Sequence, residues 1–152
     1  MKKASLFEDL KAEAAKITDK REAIKILIEK IESNFNPIGF ESEVWLDEKF
    51  HQEDHAGFRT QYFIGYIPGG HPGTIVVKSI VRDSINQEIQ ESKIERLAAI
   101  ESSLVLGAAA KALLGLLQEV RNRIQQHKDA LLTINLEALK ELASSDFGTE
   151  LP

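Results

Sequence analysis

The stretch SSLVLGAAAKALLGLL, residues 102–117, is apolar almost all round when wound as a helix, with Lys111 its one charge. A helix of that kind must be enclosed on every side. It lies within a pattern that runs without proline from Ile85 to His127. As one helix, roughly 43 residues would make a rod about 64 Å long. A compact domain of this length has a diameter of only about 40 Å. Such a rod either breaks, with Gly107 and Gly115 as its weak points, or is covered by another subunit. Ser103, Gly107, Ala108, Ala109, Ala110, Ala112 and Gly115 are small, so a second backbone can approach closely. The expected self-association surface is Ile100, Leu104, Gly107, Ala108, Leu114, Leu117, Val120 and Ile124. The apolar stretch is shorter than the roughly 18 residues a membrane span needs, and it carries a lysine near its middle. It reads as a buried helix and not as a span.

Upstream, the local signals point to an N-terminal helical hairpin. Ser5 with Glu8, and Asp19 with Glu22, have capping-box spacing. From Asp19 on, Ile24, Leu27, Ile28, Ile31 and Phe35 recur at three and four residues, the period of a helix with one apolar stripe. Pro37 disfavours a helical Asn36, and Gly39 allows a turn, so the pattern stops there. The period then shortens to two. FESEVWL alternates, with Phe40, Val44 and Leu46 on one side. RTQYFIGYI and TIVVKSIVR are rich in β-branched and aromatic residues and are separated by a Pro/Gly turn. These three segments predict a three-stranded antiparallel meander, because their connections are too short for parallel crossovers. Ser84 with Gln87 has the spacing to cap a long helix from Ile85, and Asn135 to cap a short final one over NLEALKELA. The expectation is a single α+β domain over residues 1–152: helical hairpin, meander, long C-terminal helix, short final helix.

Cysteine is absent, which removes disulfides, thiolate metal sites and a cysteine nucleophile. Nineteen Lys and Arg stand against 24 Asp and Glu, a net charge of −5. An acidic chain without a cationic cluster is repelled by nucleic acid and by anionic lipid. The charged opening MKKASLFEDLKAEAAK lacks the apolar core of a signal peptide, so a cytoplasmic location is expected.

Three patterns offer chemistry. His51 and His55 lie four apart with Glu53 and Asp54 between them. On one helical face such a pair chelates a metal, giving His51, His55 and Glu53 as the candidate ligands. Gln52 stands where the metalloprotease motif needs glutamate. His71, in PGGHPG, falls in the other hairpin loop, at the far end of the middle strand. The glycines of that loop fit a tight turn better than a phosphate cradle, since no Lys-Ser/Thr follows. Glu41 and Glu43 beside Trp45 could face a sugar or a cation. Arg59, Lys78 and Arg82 among Tyr62, Phe63 and Tyr66 resemble, in miniature, a single-strand binding surface, but nearby acids neutralise them. None of these assembles catalytic machinery. The expectation is therefore a non-enzymatic interaction module (an adaptor, inhibitor or chaperone-like factor) without cofactor. Its partner is a second copy, as a homodimer, or another protein, and neither nucleic acid nor membrane. The alternative is a small metal-dependent enzyme or ligand-binding protein using His51, His55 and a neighbouring carboxylate.

Overall fold

A computed structural model describes residues 3–35, 40–69 and 73–144. The chain is α+β, with helices and one antiparallel sheet in the order α1 (Lys3–Phe35), β1 (Val44–Trp45), β2 (His51–His55), β3 (Phe58–Ile67), β4 (Thr74–Asp83), β5 (Ile89–Arg96), α2 (Ser103–Leu132) and α3 (Leu136–Ser144). Residues 1–120 and 121–152 form separate units.

The N-terminal hairpin is instead one continuous helix. No glycine or proline interrupts residues 3–35. Thr18, just before the expected cap, sends its hydroxyl back to the Ala14 carbonyl at 3.3 Å, so the helix passes through it. A capping box works only where the chain already leaves the helix, and nothing here makes it leave.

The meander is larger than expected. β3 and β4 pair along their whole length, from Phe58↔Asp83 to Ile67↔Thr74. β1 and β2 both pair with β3, at Val44↔Tyr66 and at His51↔Tyr62. They form one edge strand interrupted by Asp47, Glu48 and Lys49: Leu46 N–H donates to Ile64 and Phe50 N–H to Tyr62 across the gap. The β2–β3 turn is only Ala56-Gly57, with φ of 50° and 83°. A two-residue type I′ hairpin turn needs both residues left-handed, and here alanine accepts that conformation.

The fourth main strand, β5, occupies residues expected to be helical. Asp83 Oδ1 accepts the N–H groups of Ile85 and Asn86, at 2.8 and 3.2 Å. Gln87 takes a φ of 62°. The segment after Ser84 is thus a turn, and it returns the chain alongside β4. A single 3₁₀ turn at Leu97–Ala99 follows. α2 then starts at Ser103, with Ser102 Oγ accepting the Val105 N–H at 3.3 Å. The helix is continuous through Gly107 and Gly115, so neither of the two weak points breaks it. Its 30 residues span about 45 Å.

Both helices of the first unit cover one face of the sheet. Phe35 of α1 stacks on Tyr66 with ring centroids 4.7 Å apart. Gly115 of α2 lies against Leu46, on the same face as Val44. Ile28, Ile64, Ile75, Leu97, Leu106 and Leu116 are essentially without solvent contact and form the centre of the core. Burying an aliphatic side chain of this size stabilises by about 1.5–3 kcal/mol. The core stripe of α2 is Val105, Leu106, Ala109, Leu113, Leu116 and Val120, one side of the helix only. In the second unit, Asn135 Oδ1 caps α3 by accepting the Ala138 N–H at 3.1 Å. None of the described residues 121–144 is buried.

Candidate functional site

The outer face of α2 departs from what a lone globular chain needs. Six buried residues fix which way the helix faces. Opposite them stand Leu104, 74% exposed, and Leu114, 65% exposed. Between these lie Gly107, Ala108, Lys111 and Ala112, and Phe50 walls one side of a shallow hollow of about 670 Å³ above them. A second hollow, about 390 Å³, flanks the same glycine and is closed by Ile17, Arg21 and Ile24 of α1. A Cβ at Gly107 would meet nothing within 4 Å. The expected enclosure of 102–117 is therefore half achieved within the chain: one side is core, the other is open.

This geometry divides the expected self-association residues. Ile100 and Val120 are buried in the chain's own core. Gly107, Ala108, Leu117 and Ile124 are half-buried, and Leu104 and Leu114 are exposed. By length and composition α2 could also cross a membrane, with a mean hydropathy of 1.4 and a third of the relevant window buried. Its core stripe, however, packs on the sheet.

The histidine segment is a strand and not a helix. His51, Glu53 and His55 alternate onto one face of β2. Four residues of strand separate the two histidines by about 13 Å, whereas ligands to one ion lie about 2 Å from it. Glu53 Oε1 is 3.0 Å from His51 Nε2; His55 pairs across the turn with Phe58. Among the described residues no three His, Asp or Glu converge as a metal would require. His71 lies outside the described residues.

Around His51 the helix-facing side of the sheet turns polar. Tyr62 packs on His51 at 5.6 Å between ring centroids. Lys93 and Glu95 form an ion pair at 2.6 Å. With Glu101, Ser102 and Val105 they line an open cleft of about 400 Å³. Burial raises the Tyr62 hydroxyl above its ordinary pKa of 10.0, and the negative charges of Glu53 and Glu95 add to the shift. Hydrogen bonding to Glu95, with its charge, raises the Lys93 ammonium too. The cleft thus keeps a protonated phenol beside a charged network. Sequence reasoning passed over it, because its members come from two strands, a loop and the start of α2.

The other two patterns are internally occupied. Trp45 lies over Gly65, its indole N–H donates to Glu43, and Lys78 Nζ sits 5.3 Å from its ring centroid. Arg59 bonds Asp54 at 3.1 Å, and Arg82 donates to the Gln87 carbonyl at 3.2 Å. Comparison with protein-family models, with curated proteins and with solved structures finds no match.

Proposed function

We propose that this chain is a non-enzymatic interaction module that self-associates through the outer face of α2. The observation that carries the reading is the pair Leu104 and Leu114, held outward by a helix whose orientation the core has already fixed. Two leucines ten residues apart, about 15 Å along the helix axis, with glycine and alanine between them, suit the close approach of a second helix. Scattered surface leucines are ordinary; these two stand on the broad side of α2 away from its core stripe, and Leu104 borders the larger hollow, the kind of exposed apolar surface that marks an interaction site.

The test is the double variant Leu104→Lys/Leu114→Lys, compared with the parent by sedimentation at micromolar concentration. The core does not use either side chain, so circular dichroism should be unchanged while the dimer is lost. A parent that sediments as a monomer over the whole range would end the proposal. The metal-dependent alternative has less support, since strand geometry separates His51 from His55; zinc, manganese, iron or nickel retained by purified protein, and lost in His51→Ala, would revive it.

A further inference from the structure

α1 carries a seven-residue repeat through its whole length. Phe7, Leu10, Ala14, Ile17, Arg21, Ile24, Ile28, Ile31 and Phe35 follow one another at alternating steps of three and four. That is the 3.5-residue period of a helix made to pair with another helix along a seam. In the chain itself only the last part of the seam is used: Ile28 and Phe35 are core. The first part is bare. Phe7, Leu10 and Ile17 are at least half exposed, as are the flanking Leu6 and Leu27. Arg21 interrupts the seam, and its Nε is buried without a hydrogen-bond partner.

We infer that residues 6–27 of α1 pair antiparallel with α1 of a second copy, in one register; the inference rests on the reading that the chain self-associates. The register follows from charge. In an antiparallel pair the residues just before each odd seam position face their counterparts along one flank. Ala14 placed opposite the second copy's Ile17 sets Leu10 opposite Arg21 and Phe7 opposite Ile24. Glu13 then faces Lys20, twice by symmetry, and Leu6 faces Leu27, also twice. Every bare apolar side chain of the seam and its flanks named above is covered. The other flank sets Lys11 against Thr18, which is neutral.

Neighbouring arrangements fail on the same criterion. Sliding one heptad toward the N-terminus sets Glu13 against Glu13 and Lys11 against Lys11. Sliding one heptad the other way sets Lys20 against Lys20. A parallel pair stacks Arg21 on Arg21 and Lys20 near Lys25. Like charges across such a seam select against a pairing, and opposite ones for it. The chain also leaves room where the second helix must enter. The hollow bounded by Ile17, Arg21 and Ile24 on α1 and by Leu106 and Gly107 on α2 lies where the partner's Leu10 and Phe7 would insert. Glu13 already bonds Lys16 within the helix, at 2.9 Å; that exposed pair is weak and leaves one carboxylate oxygen for the partner.

The experiment is a charge exchange in the full chain, read by sedimentation. Glu13→Lys and Lys20→Glu should each weaken the dimer about tenfold, since each turns two flank attractions into repulsions. The double variant should return to within about threefold of the parent. Because the chain has no cysteine, a second arm mixes Leu6→Cys with Leu27→Cys under oxidation: disulfide-linked heterodimer is expected from the mixture and little from either alone. A double variant that stays weak, or Leu6→Cys linking to itself, overturns the register. A dimer indifferent to Glu13 and Lys20 but lost in Leu104→Lys/Leu114→Lys overturns this inference and leaves the α2 interface standing. A monomeric parent overturns both.

Discussion

Glu32 is the one charged side chain among the described residues that is buried, at 1% exposure. It sits on α1 and ties the helix to the sheet. Pairing of β4 with β5 ends at Val76↔Arg96, and the next amide, Ile75, donates to Glu32 Oε2 at 2.9 Å. The other oxygen takes Arg96 Nη2 at 3.3 Å, and that arginine side chain is 59% exposed. Glu32→Met keeps most of the aliphatic volume but orphans the Ile75 N–H, a buried donor worth about 1–3 kcal/mol. Relief of the carboxylate's own desolvation offsets part of this, so a loss of about 1–2 kcal/mol is expected. Glu32→Ala removes one buried methylene as well, at about 0.8 kcal/mol, for a total of about 2–3 kcal/mol. Arg96→Ala should cost about 1 kcal/mol, less than Glu32→Ala, because water can take the place of a guanidinium that is mostly exposed and hydrogen-bond the carboxylate oxygen it leaves. Urea unfolding with an unchanged slope measures all three, and hydrogen exchange at Ile75 reports the amide directly. If Arg96→Ala proves as damaging as Glu32→Ala, the carboxylate serves the ion pair and not the backbone, and the reasoning fails.

Two further outcomes follow from the helix and the cleft. Ala109 is fully buried, so Ala109→Leu overpacks the core and should lower stability by about 1–3 kcal/mol; Gly107 has open space at its Cβ, so Gly107→Ala should raise stability by about 0.5–1 kcal/mol through helix propensity. Equal melting temperatures for the two would mean that the two faces of α2 have been exchanged. Tyr62 and Tyr66, the two tyrosines, both ionise above 10.0, chiefly because burial disfavours the phenolate. A raised folded-state value means the unfolded chain loses its proton first; the stability is fully present below pH about 10 and is lost as pH rises through the folded values. Absorbance titration of tyrosinate should show the Tyr62 midpoint move down in Glu53→Gln, and an unmoved midpoint would show that Glu53 does not act on the phenol.

The elements that sequence made legible are those whose burial is one-sided and regular. β3 and β4 carry long β-branched and aromatic runs, and both appear within a residue of their expected bounds. The final helix has its Asn135 cap. β5 was illegible for a specific reason. It pairs Glu91 with Val81 but Ile89 with Arg82, so Gln90 is an extra residue in a bulge. Ile89 and Ile94 therefore share a face although five apart, which breaks the period of two. Ile85, Ile89, Leu97 and Ile100 meanwhile fall at spacings a helix would accept. α1 misled in the opposite way. Asp19 and Glu22 supplied a local start signal inside a helix whose heptad pattern runs straight through it, and that pattern was the better guide. The two histidines could not be judged from spacing at all. Four residues bring side chains together on a helix and hold them about 13 Å apart on a strand, so the secondary structure had to be known first. The same holds for the cleft at Tyr62, whose members are distant in sequence.

The distribution of charge on the sheet supports placing the proposed association on the helices. An antiparallel sheet offers two unpaired edges, each a template for another chain. Here one edge, β1 with β2, is interrupted by the exposed Asp47, Glu48 and Lys49. The other, β5, is bulged and carries Glu91, Lys93, Glu95 and Arg96 over half its length. Both features oppose strand addition by any second chain. Most of the large apolar side chains left in solvent stand instead on α1, α2 and α3, with Phe58, Ile85, Ile89, Ile94 and Ile134 exposed elsewhere. The helices of the first unit use one side to cover the sheet, and each keeps a second apolar side that the sheet cannot reach. The sheet therefore works as a scaffold with blunted edges, and it fixes the direction in which those outward sides stand.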